Sequence, residues 1–271
     1  MSANSNIIAK ERIQHITNTI GLSSVVHAPH RVKPANEAAN HSELNPVHFL
    51  ARSATIYPQK IAVVHGMANR RYTYAQLNRR VLALTYALKH QLSVRRGDVV
   101  AIIAPNIPAM LEAHFAIPAA NAIICAINTR LAPKEVDYIL NHSGAKVVLV
   151  DAEFAGLVEG SKLPKVIIAD TGVAASDEYE RFLETGYRDA DSLGWGGLDQ
   201  TDDENEGVSL CYTSGTTGKP KGVLYTYRGM YLAALGNAIE AQLRLDSVHL
   251  FIVPLFHANS WIFPYAVTAI A

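Results

Sequence analysis

Leu210-Cys211-Tyr212-Thr213-Ser214-Gly215-Thr216-Thr217-Gly218-Lys219-Pro220-Lys221-Gly222-Val223 is the stretch from which the rest of this chain can be read. Between Thr213 and Lys221 stand four hydroxyls, two glycines and two lysines. Glycines let successive backbone N–H groups turn inward as an anion-binding nest, hydroxyls add donors, and lysines supply point charges for phosphate oxygens. A solvent-exposed turn of similar composition needs no apolar flanks. Here the apolar run Val208–Tyr212 leads in and Val223–Leu224 leads out, so the context predicts a phosphate loop. It is not the G-x-x-x-x-G-K-[ST] loop. Thr213 occupies the first glycine position, and Pro220 follows Lys219 where a magnesium-binding hydroxyl belongs. Pro220 also lacks the N–H with which a helix directly after the lysine would meet a phosphate.

Upstream, apolar strand-like runs alternate with helical patterns. Ile61–His65 reads as a short strand. Thr73 and Gln76 make a capping box, and Leu77, Val81, Leu84 and Leu88 recur at helical spacing over residues 74–90. Val99–Ala104 is a strand, 109–117 a helix, 122–127 a strand, and Pro133 opens a helix that ends near Gly144. Val147–Val150 and Val166–Ala169 are further strands. Asn45-Pro46 reads as the start of a helix to about Tyr57. Continuously apolar strands alternating with helices predict an α/β fold, with parallel-sheet layers covered by helices on both faces. Strand order does not follow from the sequence.

At 271 residues the chain has the length of about 1.8 domains of ~150 residues. With 49% apolar and 18% charged residues it can fill a core, which excludes a disordered chain. Lys plus Arg equals Asp plus Glu at 24 each, which argues against a dedicated nucleic-acid binder. The charge is uneven. From Asp177 to Glu206 eleven acids face two bases, Arg181 and Arg188, a local −9 that leaves +9 elsewhere. With Gly194, Gly196 and Gly197 inside it, residues 177–206 are expected to be a solvated, mobile acidic loop on a body that favours anionic ligands. Cys125 and Cys211 sit in apolar runs and read as buried thiols in a reducing compartment. Residues 1–40 lack an apolar signal region. Two uncharged or nearly uncharged runs, Ala101–Ile127 and Ser247–Ala271, are long enough to imitate membrane spans. Their prolines and polar residues suit a globular core, so no membrane span is expected.

Tyr212-Thr-Ser-Gly-Thr-Thr-Gly-Lys-Pro-Lys-Gly222 resembles the signature loop of the adenylate-forming enzymes, which include acyl-CoA synthetases. Arg71-Tyr-Thr-Tyr-Ala-Gln-Leu77, Ala104-Pro-Asn-Ile-Pro108 and Asn128-Thr-Arg-Leu131 resemble further blocks of that superfamily, as do His142-Ser-Gly-Ala-Lys146 and Pro254-Leu-Phe-His-Ala-Asn-Ser-Trp261. Together with Phe49-Leu50 and Glu112-Ala-His-Phe115, they are most similar to the acyl-activating enzymes of plants and fungi. The resemblance spans about residues 44–271, with 1–43 as an amino-terminal arm.

The resemblance implies a ligase in which a carboxylate attacks the α-phosphorus of Mg·ATP to give an acyl-adenylate and pyrophosphate. A thiol, usually coenzyme A, then displaces AMP. Thr213, Ser214, Gly215, Thr216, Thr217, Gly218, Lys219 and Lys221 are then expected around the β- and γ-phosphates, and His257 beside the carboxylate; Lys221 and His257 are the expected catalytic pair. No metal ligand is assigned. Ser260 replaces a glycine common in the subgroup, and Tyr227 stands where many relatives have histidine before Arg228. Family members run to about twice this length. The Thr-Glu block, ribose aspartate, hinge and lid lysine have no counterpart here, so the chain is expected to be the amino-terminal part of the enzyme. The alternative is a catalytically incompetent remnant that binds through the loop alone. Expected partners are a small carboxylic acid, ATP and coenzyme A. The implied location is cytoplasmic or peroxisomal, although Ala269-Ile270-Ala271 is no peroxisomal address.

Overall fold

The computed structural model describes residues 42–213 and 219–271. The expected amino-terminal arm, apart from its last two residues, and the loop residues Ser214–Gly218 lie outside the described residues.

Helix α1 (His48–Ile56) precedes a hairpin of β1 (Ile61–His65) and β2 (Arg70–Thr73), then α2 (Tyr74–Gln91), β3 (Val99–Ile103), α3 (Pro108–Ala119) and β4 (Ile123–Ala126). Helix α4 (Pro133–Ser143) leads to β5 (Ala145–Asp151), a 3-10 turn (Ala152–Val158) and β6 (Lys165–Ile168). Helix α5 (Glu178–Leu193), β7 (Gly207–Thr213), β8 (Lys221–Thr226), α6 (Tyr227–Glu240) and α7 (Ala258–Ile270) complete the chain. Asn45-Pro46 forms a turn rather than the first helical residues; Asn45 Oδ1 accepts the Val47 N–H at 3.0 Å and α1 starts at His48.

Six strands form one sheet in the order β6-β5-β3-β4-β7-β8; its paired neighbours from β6 to β7 run parallel and β8 is antiparallel to β7. All five residues of β3 are buried, because both faces are covered. Val100 and Ile102 join the larger core with α2, α3 and α5, while Val99, Ala101 and Ile103 meet Val136, Ile139 and Leu140 of α4 on the other face. The capping box forms as read: Thr73 Oγ1 accepts the Gln76 amide and Gln76 Oε1 accepts the Thr73 amide. Strand β2 was hidden from the sequence because its short, charged run Arg70-Arg71-Tyr72-Thr73 carries no apolar alternation.

The acidic stretch is corrected by the structure. Residues 178–193 are helix, not loop. Asp177 caps it, accepting the Tyr179 amide at 3.0 Å and also the Ala169 and Thr171 amides. Tyr179, Leu183, Gly186 and Ala190 recur at helical spacing and are buried, so the stretch has the one apolar face that its net charge concealed. Its acids are paired too: Asp191 with Arg79, Asp189 with His90, Asp199 with Lys89, Glu206 and Asp202 with Arg96, and Glu204 with Arg228. Four of the body's basic side chains, Arg79, Lys89, Arg96 and Arg228, are thus engaged by this segment.

A buried ionic cluster joins α2, α3 and α5. Arg80 meets Glu112 at 2.6 Å and Glu180 at 2.8 Å, and the Tyr179 hydroxyl donates to Glu112 at 2.6 Å. Tyr227, the departure noted above, is buried at the start of α6 with its hydroxyl donating to Pro118 O at 2.9 Å.

Candidate active site

Parallel α/β sheets place ligands outside the carboxyl ends of their strands. At that edge, the ends of β4 and β7 open into a cleft of about 360 Å³ lined by Asn128, Glu135, Thr213, Pro220 and His257, among others. Thr213 ends β7, and the antiparallel register sets Lys221, the first residue of β8, directly opposite it. The chain leaves the loop as a strand, so no helix N-terminus follows Lys219, and Pro220 offers no N–H there. Thr213, Lys219 and Lys221 are all exposed. Of the sequence-predicted loop residues, these three are described; Ser214, Gly215, Thr216, Thr217 and Gly218 are not.

Helix α4 braces the base of the loop. Tyr212 on β7 pairs its hydroxyl with His142 Nδ1 at 2.7 Å, and the His142 ring stacks on Tyr138 one turn earlier at 5.3 Å. The Tyr138 hydroxyl reaches Pro220 O at 3.5 Å, and Lys219 Nζ lies 5.6 Å from the Tyr138 ring centre. Both ends of the loop are therefore gripped from one helix face. Burial pushes the Tyr212 hydroxyl up to about 12, so it stays protonated and can donate to His142. On β8, Gly222 is where a side chain would press on Leu210 at 3.0 Å and on the Tyr212 ring at 3.4 Å.

His257 caps the start of α7 and is exposed at the cleft lip, with its backbone N–H donating to Pro254 O at 2.9 Å. A satisfied core histidine is thus excluded. Phe256 beside it is buried. The side chains of Ser260, the other departure noted above, and of Trp261 lie outside the described residues. Cys125 and Cys211 are buried as read and form no disulfide, and burial raises the Cys125 thiol to about 12, which keeps it unreactive.

Two participants escaped the sequence reading. Asn106, just past β3, holds the segment that leads to His257, and the pair Tyr138–His142 supports the loop. Asn106 was detectable in principle as a polar residue at the carboxyl end of a buried strand, where α/β sites lie.

Fold and cleft together define an α/β protein with a cleft at the strand carboxyl ends, where Thr213 and Pro220 flank a sequence rich in glycine, hydroxyls and lysine. The family of AMP-binding enzymes matches residues 50–270, and the chain belongs to that family. It is 36% identical over 255 residues to the acetate–CoA ligase CCL3 of Humulus lupulus, covering 86% of this chain and 43% of that protein. It is 37% identical over 253 residues to the peroxisomal acetate/butyrate–CoA ligase AAE7 of Arabidopsis thaliana, with the same shares covered. Among solved structures it is similar to the N-terminal domain of FACL13 from Mycobacterium tuberculosis, with a TM-score of 0.72 and 27% identity over 83% of this chain and 55% of that one. The chain thus spans less than half the length of the curated relatives it matches.

Proposed function

We propose that this chain supplies the phosphate-binding and acid-binding half of an AMP-forming acid–thiol ligase. The observation that carries the reading is one cleft lined by both Thr213 and His257, with Lys221 paired to Thr213 across the loop base. A carboxylate oxygen would attack the α-phosphorus of ATP, forming the acyl–phosphate bond as the bond to the β-phosphate breaks and pyrophosphate leaves with the electron pair. Thiol attack on the acyl carbon would then release AMP. Lys221, Lys219 and the Thr213 hydroxyl are suited to meet the charge growing on pyrophosphate, and His257 to orient the carboxylate. ATP, the acid and coenzyme A are substrates. Magnesium would arrive with ATP. Among the described residues no group of three His, Cys, Asp or Glu could hold a metal, and Glu135 in the cleft already accepts the Ala132 amide at 2.8 Å, so no step is routed through it.

The ligase names of the plant relatives support a small carboxylic acid as substrate, and the peroxisomal name of AAE7 supports a peroxisomal or cytoplasmic place. Among the described residues no helix is long and apolar enough to cross a membrane. The test is ATP and pyrophosphate binding by calorimetry, with ATP–pyrophosphate exchange over a panel of short and aromatic acids. Lys221→Ala should weaken pyrophosphate binding about tenfold or more, the worth of one charged hydrogen bond. Equal affinity in parent and variant would remove Lys221 from the site.

A further inference from the structure

Between Ser247 and Pro254 the chain belongs to no helix or strand, and three of its apolar side chains point outward, Val248, Leu250 and Ile252 being 94%, 77% and 83% exposed, while Phe251 packs on the core and His249 stacks on Phe263 at 4.5 Å. Such a segment should wander, yet it delivers Phe256 and His257 to the cleft. One side chain fixes its backbone. Asn106 Nδ2 donates to Phe251 O at 3.0 Å and to Val253 O at 3.1 Å, while its Oδ1 accepts the Leu255 N–H at 2.7 Å. These partners also settle which end of the amide faces which group, since two carbonyls require the NH₂ and the N–H requires the oxygen.

His114, eight residues on and inside α3, completes the hold. Its Nδ1 donates to Met110 O at 2.7 Å, and the ring lies against the Leu255 backbone. Leu255 is therefore held through its N–H by Asn106, with the His114 ring beside its backbone. Beyond His257, the Tyr265 hydroxyl of α7 donates to the His114 carbonyl, and the Tyr265 ring meets Phe115 edge-on at 5.0 Å. His257 thus sits between two points that are both anchored to α3 and the turn before it. Neither Asn106 nor His114 is among the residues that line the cleft.

We propose that Asn106 and His114 are positioning residues for His257: by clamping Leu255, they set where the imidazole stands at the cleft. The functional consequence rests on the reading of His257 given above; the clamp itself does not. The energetic sense is simple. Three hydrogen bonds from one rigid amide order a stretch that has little buried apolar surface to order it.

The experiment uses the chain labelled in its histidine rings, with the His257 signal assigned from the spectrum of His257→Gln, and reads amide exchange at Leu255. In Asn106→Ala, Leu255 exchange should speed up at least tenfold relative to buried β3 amides such as Ile102, and the His257 ring signal should move. Asn106→Asp keeps the acceptor for Leu255 but sets a carboxylate against the Phe251 and Val253 carbonyls; it should retain part of the Leu255 protection. If Asn106→Ala does not fold, Asn106→Asp and His114→Gln carry the same readout. A loss of melting temperature with the His257 signal and Leu255 exchange unmoved would reduce both residues to plain structural ones and overturn the proposal. Titration with ATP and acetate separates the two readings. If these ligands leave the parent His257 signal in place, the assignment of His257 to the site fails while the clamp is still measured. If they shift it, their midpoint should rise at least fivefold in Asn106→Ala.

Discussion

Substituting Gly186 by alanine should be far more damaging than its chemistry suggests. Gly186 lies on the buried face of α5 where it crosses α2, and a Cβ there would stand 2.0 Å from the Ala83 carbonyl oxygen, 2.8 Å from its carbonyl carbon and 3.0 Å from its Cα. All three atoms are backbone, so no side-chain rotation relieves the clash. Restoring an ordinary contact requires the helices to part by about 1 Å, along a seam that also holds Tyr179, Leu183 and the Arg80–Glu112–Glu180 cluster. Overpacking a dense core costs ~1–3 kcal/mol and at times more. A backbone-to-backbone clash belongs at the upper end, and the ~1 kcal/mol helix-propensity gain of alanine over glycine offsets only part of it. The net expectation is a loss of at least ~2 kcal/mol, or a melting temperature lower by roughly 4–8 °C for a domain of this size. Gly236 in α6 is the internal control, since a Cβ there meets nothing within 4 Å. Gly236→Ala should leave stability unchanged or raise it by up to ~1 kcal/mol. Urea unfolding of both variants, followed by far-ultraviolet circular dichroism, makes the comparison. Coincident midpoints for the two would refute the close helix crossing.

Glu112→Ala removes a fully buried carboxylate that accepts from Arg80 and Tyr179; Arg80 keeps Glu180, so the cost is that of the stranded buried donors, ~1–3 kcal/mol or more in the same unfolding assay. Burial holds the His114 ring down at about 4, against 6.5 for a free histidine. Between those values the unfolded chain binds a proton that the folded one does not, so stability should fall as pH drops from about 6.5 to about 4, by roughly 3 kcal/mol for this group. His114→Gln should flatten that part of the profile, and a parent profile equally flat would contradict the burial. Limited proteolysis should spare residues 178–193, because they are helical and packed on α2; early cleavage inside that window would show that α5 does not hold.

Local physics made much of this protein legible before any tertiary structure. The fully apolar runs at Val99, Val147 and Val208, the Thr73–Gln76 capping box and the proline at the head of α4 all act within a few residues, and each formed where it was read. Pro220 likewise removed an N–H donor after Lys219 by covalent geometry alone. The loop was recognised for the same reason, since its donors are adjacent in sequence. Non-local pairing decided the rest. Strand order, and the antiparallel return of β8 that sets Lys221 opposite Thr213, depend on hydrogen bonds between distant segments. The acidic stretch misled because net charge discards periodicity: its apolar positions 179, 183, 186 and 190 gain meaning against α2, and its acids against bases 24 to 112 residues away. His257 owes its place at the cleft to the Asn106 amide, at a separation no sequence pattern encodes, because hydrogen bonds between side chain and distant backbone arise only once the chain has folded.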